Sequence, residues 1–68
     1  MRYSVNLRMK NPGPAKYLIE TSDVNDLTAA FYTGMHLSDK GDSDHFVEIV
    51  DNDNGGTIAI FNEGDWTL

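Results

Sequence analysis

Sixty-eight residues without a cysteine make one domain with a thin core, burying roughly 60% of its unfolded surface and lacking disulfides or thiolate metal sites. The net charge of −6 is unevenly spread: four of the five basic residues fall within the first 16 positions, and all 11 acids lie from Glu20 onward. That balance repels nucleic acid and anionic membrane and attracts basic protein surfaces, and it also keeps a small domain soluble.

No apolar run approaches the roughly 18–20 residues of a membrane span. Residues 1–10 alternate polar and apolar side chains and contain no continuous apolar h-region of a signal peptide. The chain therefore reads as complete, unprocessed and cytoplasmic.

In chain order, residues 2–9 alternate Tyr3, Val5, Leu7 and Met9 with Arg2, Ser4, Asn6 and Arg8, the period of a strand with one apolar face. Asn11-Pro12-Gly13-Pro14 interrupts it as a turn, and residues 15–21 form a second strand. Pairing Leu7 with Ile19 and Met9 with Tyr17 aligns the apolar faces and leaves Pro12-Gly13-Pro14 as a three-residue loop. Ser22 and Asp23 are N-caps for a helix over 24–33, with Val24, Leu27 and Phe31 toward the core and Gly34 at C′. The aspartate-rich stretch 36–44 reads as a loop. Strands 46–51 and 57–62 then flank Asp53-Asn54-Gly55-Gly56, whose Asn-Gly pair is a strong hairpin signal. With Asn54-Gly55 at the turn centre, Ile49 faces Ile60, Val50 faces Ala59, and Phe61 shares a face with Phe46, Glu48 and Val50. A three-residue, bulged loop moves Phe61 to the other side.

The expected architecture is a single α+β domain over 1–68, ordered β-β-α-β-β, with one helix on one face of a four-stranded antiparallel sheet. The uncovered face of the first hairpin is polar, with Arg2, Ser4, Asn6, Arg8, Lys16 and Glu20. The second hairpin carries apolar residues on both faces, and the spare set Phe46, Val50 and Phe61 is a candidate dimer interface.

Chemical motifs are sparse. Asp51-Asn52-Asp53-Asn54-Gly55-Gly56 resembles a calcium loop in its glycine at position six, but Gly55 and Asn62 fail the ligand positions five and twelve. Asp39, Asp42 and Asp44 lie between His36 and His45, which offers a metal-binding reading of that loop. No Ser–His–acid arrangement or phosphate-binding glycine pattern can be assembled, so no enzyme, cofactor or metal is expected. Arg2, Arg8 and Lys16 form the one basic patch, and Glu20 and Glu48 stand ready to pair with it, so direct nucleic-acid binding is not expected. Trp66 is either a binding anchor or the side chain with which a folded-back tail closes the core.

The expectation for function is a small acidic protein-binding module. It would use Asp39, Asp42, Asp44, Glu48, Asp51, Asp53 and Trp66 against a partner with a basic surface. Small inhibitors of phage or mobile-element type, which act against host defence by imitating DNA phosphates, have this physical character. A homodimer through the second hairpin is the alternative, and a metal protein built on the 36–45 loop is another.

Overall fold

The computed structural model describes residues 1–10, 18–41 and 44–68. Among them lie five strands and one helix: β1 Tyr3–Met9, β2 Leu18–Val24, α1 Leu27–Ser38, β3 His45–Asp51, β4 Gly56–Asn62 and β5 Asp65–Thr67. They form one antiparallel sheet in the order β2-β1-β3-β4-β5. The class is the expected α+β, but the sheet has five strands rather than four. The added strand is the tail, which turns back through Glu63 and Gly64, both at positive φ, and pairs Trp66 with Phe61.

Strand alternation builds the core. Val5 lies opposite Ile49 and Leu7 opposite Val47 at the sheet centre, all 0–1% exposed. Ala30 and Leu37 of α1 close over them. Each such side chain contributes about 1.5–3 kcal/mol by leaving water.

The helix starts later and ends later than its sequence suggests. Ser22, Asp23 and Val24 belong to β2, where Val24 pairs with Tyr3 and Asp23 accepts a hydrogen bond from Ser4 Oγ at 2.9 Å. Asp26 is the N-cap, its carboxylate accepting the Ala29 N–H at 3.0 Å. Gly34 is not C′ but mid-helix. A Cβ there would stand 2.8 Å from the Trp66 ring and 3.2 Å from Val47 Cγ1, so glycine lets helix and tail approach. The helix then runs another turn to bury Leu37, taking in His36, Leu37 and Ser38 of the expected loop.

Both hairpin registers differ from expectation. Leu7 faces Glu20 rather than Ile19, and a shift between Leu7 and Arg8 brings Leu18 opposite Arg8. The pairing of Met9 with Tyr17 and the Pro12-Gly13-Pro14 loop lie outside the described residues. In the second hairpin, Ile49 faces Ala59 and Val47 faces Phe61, with a bulge between Ile49 and Val50. The chain turns early because Asp51 organises it. Its carbonyl accepts the Gly55 N–H at 2.7 Å, its carboxylate accepts the Asp53 N–H at 3.0 Å, and Gly55 takes φ +75°. The resulting one-residue slip moves Phe61 to the helix side, apart from Phe46 and Val50.

Candidate functional site

α1 packs against one face of the sheet, and none of the other described elements packs against the opposite face. Alternation presents there Ser4, Asn6 and Arg8 from β1, Thr21 and Asp23 from β2, and Phe46, Glu48 and Val50 from β3. Ile60 of β4 stands opposite Glu48 and is 37% exposed. Glu20, expected here, lies opposite Leu7 on the helix side and pairs with Lys40 at 3.0 Å.

The middle of this face is a hydrogen-bonded network centred on Glu48. Its carboxylate accepts from Arg8 Nε, from Asn6 Nδ2 at 3.1 Å and from the Thr57 hydroxyl at 3.4 Å. Asn6, 7% exposed, accepts in turn from Thr21 Oγ1 at 2.9 Å, so the network spans four strands. No buried side-chain nitrogen or oxygen among the described residues lacks a partner. The Arg8–Glu48 pairing was legible from charge and strand alternation. The roles of Asn6 and Thr21 were not, because which residue lies across from which depends on register.

Burial pushes the Glu48 carboxyl up, but the hydrogen bonds from Arg8 and Asn6 and the Arg8 charge outweigh it and hold the group below the usual carboxylate range. Asp51 is also held low, first by the Asp53 N–H and then by Arg2. Because the folded state depresses both groups, their stabilisation is complete above the unfolded carboxylate range near about pH 4. It is lost as pH falls through the lower folded-state values. Thermal melts should therefore be flat from neutral pH to about 5 and fall steeply below about 4. Glu48→Gln should be less stable at neutral pH and show a shallower acid limb. An unchanged limb would mean that Glu48 is not held low.

The acids expected to act as one surface divide. Asp39 follows the helix and Asp44 precedes β3, both exposed, whereas Asp51 and Asp53 lie at the far end of β3. Seven residues of strand separate the two groups by roughly 20 Å. Asp51 is 7% exposed and shares Arg2 with Asp53, at 3.3 and 3.4 Å, while Glu48 is engaged in the network. Asp42 lies outside the described residues.

Trp66 is half-buried on the helix side, edge-on to Phe31 at 4.6 Å and tilted against Phe61 at 4.9 Å. Phe46 and Val50 remain on the uncovered face, and Phe46 with Lys10, Ile60 and Asn62 lines a depression of about 270 Å³. His36 is exposed in the last turn of α1, and His45 opens β3. Among the described residues no group of three or more histidines and acids is placed to hold a metal ion. Among the described residues no helix is long and apolar enough to cross a membrane. No known protein family, curated protein or solved structure matches the chain.

Proposed function

We propose that this chain is a protein-binding module that docks on a basic surface of another protein, as a stoichiometric inhibitor would. The observation that carries the reading is how the cations are spent. Each basic side chain among the described residues pairs with an acid of the chain itself: Arg2 with Asp51 and Asp53, Arg8 with Glu48, Lys10 with Glu63, and Lys40 with Glu20. Asp23, Asp26, Asp39 and Asp65 are exposed and have no such cation among the described residues. The field reaching solvent is therefore that of carboxylates, which steers basic partners and opposes direct nucleic-acid binding. Nucleic-acid-handling proteins carry basic surfaces of that kind, and they are the target class of this proposal.

The test is capture from cell extract on the immobilised chain at low salt, followed by elution with rising salt and identification by mass spectrometry. The expected result is a basic protein released at moderate salt, and released earlier from the Asp23→Asn, Asp39→Asn, Asp65→Asn triple variant. Release that ignores both salt and the triple variant would refute charge-driven docking.

A further inference from the structure

We propose that Asn54 is a self-modification site, deamidated by attack of the main chain on its own carboxamide, and that closure of the β3–β4 turn sets the rate. The reactive pair is Asn54-Gly55. A following residue without a side chain lets its nitrogen approach the asparagine carboxamide carbon, and Asn54 is the one asparagine of the chain followed by glycine. Asn25 and Asn52 precede aspartate, Asn62 precedes glutamate, Asn6 precedes leucine, and Asn11 precedes proline, which has no N–H to lose. Asn54 and Gly55 are both exposed, and the space where a Gly55 side chain would stand is open. The turn itself retains the pair, because Gly55 takes φ +75°, where a side chain is strained.

The chemistry consumes only water. Solvent hydroxide removes the Gly55 amide proton, and the nitrogen bonds to Cγ of Asn54. The Cγ–Nδ2 bond then breaks, and the leaving nitrogen takes a proton from water to depart as ammonia, which regenerates hydroxide. Water opens the resulting cyclic imide at either carbonyl, giving aspartate or its isomer with the main chain routed through Cγ. Two hydrogen bonds govern the first step. The Gly55 N–H donates to the Asp51 carbonyl at 2.7 Å, which keeps on nitrogen the proton that must leave. The Gly56 N–H donates to Asn54 Oδ1 at 2.8 Å, which fixes the orientation of the carboxamide. Attack therefore waits for the turn to open. The start of the chain holds it shut: Arg2 pairs with Asp51 and Asp53 at 3.3 and 3.4 Å, and the Arg2 carbonyl accepts the Asn52 N–H at 2.8 Å. Either product places a new carboxylate next to Asp53, so that end of the sheet becomes more acidic as the protein ages.

This inference is independent of docking on a basic partner. The experiment incubates the full chain at mildly alkaline pH over days, folded in buffer and unfolded in guanidinium chloride. Intact mass reads the exchange of amide for acid, and peptide mapping locates it and separates aspartate from its isomer. The expected site is Asn54, converted in the folded protein more slowly than in the unfolded chain by roughly tenfold or more, since only opened turns react. Arg2→Gln leaves the reactive pair untouched and removes exposed ion pairs, so it should raise the folded rate by about twofold or more. Circular dichroism checks that this variant stays folded. Asn54→Gln, whose longer side chain cyclises far more slowly, should abolish the conversion. Conversion led by another asparagine would overturn the site. Equal rates in the folded and unfolded chains, or a folded rate indifferent to Arg2→Gln, would overturn control by the turn.

Discussion

Ile49→Ala should leave much of the protein unfolded at room temperature, whereas Ile60→Ala should leave it folded. The two isoleucines sit on neighbouring strands and lose the same atoms, but their surroundings differ. Ile49 is fully buried at the sheet centre, between Val5 and Ala59 and beneath the helix. Ile60 is 37% exposed on the uncovered face. Truncating a sealed isoleucine to alanine costs about 2–5 kcal/mol, because the transfer energy is lost and a cavity remains. A domain of this length has a total stability of about 3–10 kcal/mol, so that loss approaches the whole of it. Urea titrations followed by circular dichroism should give Ile49→Ala a strongly lowered or absent transition, and Ile60→Ala a loss of about 1 kcal/mol or less. Equal losses for the two would mean that the helix does not select which face is core.

Trp66→Ala should cost about 2–3 kcal/mol, less than a fully buried tryptophan because the ring is only half-covered. Its ring stands between Phe31 and Phe61 and lies across Gly34, so its removal unclamps the three-residue β5. Gly34 makes this checkable by a change of sign. Alanine is favoured over glycine in a helix by about 1 kcal/mol. In the wild-type protein the new methyl meets the ring at 2.8 Å, and overpacking of about 1–3 kcal/mol cancels or exceeds that gain. With Trp66 already alanine the ring is gone, and Gly34→Ala should stabilise. A double-mutant cycle in urea would measure this coupling, and additive effects would refute the clamp. One side of the Trp66 ring is committed to this packing, so only its exposed part is open to a partner.

The elements readable from the sequence were those set by strand alternation. Tyr3, Val5 and Leu7 declared the inner face of β1, whereas β3 carries apolar residues on both faces and alternation alone did not say that Val47 and Ile49 are the buried pair. Helix limits were less readable because two local signals pointed the wrong way. Ser22 and Asp23 have good capping chemistry, but pairing with β1 holds them extended. Gly34 has the chemistry of a helix end, but a tail tryptophan more than thirty residues away uses its missing side chain. Registers failed for a related reason. Asp51 closes its turn through its own carboxylate, which overrides the Asn54-Gly55 preference and slips Phe61 across the sheet. Of the candidate site, the charge asymmetry was fully visible in composition. The division of the acids between two ends of β3 was not, since spacing along a chain does not give direction in space.

Strand order also bears on how the chain reaches this state. β1 comes first in the chain yet sits inside the sheet, and its second neighbour, β3, brings Asp51 against Tyr3 across most of the chain length. Each hairpin can close on local contacts, but Val5, Leu7, Val47 and Ile49 meet only when the two hairpins dock, after the intervening loop entropy has been lost. Until that docking step, both β1 and β3 are open edges with apolar side chains. A nascent or partly digested chain ending before β3 exposes an inner strand rather than a protected one, and inner strands are the ones that aggregate.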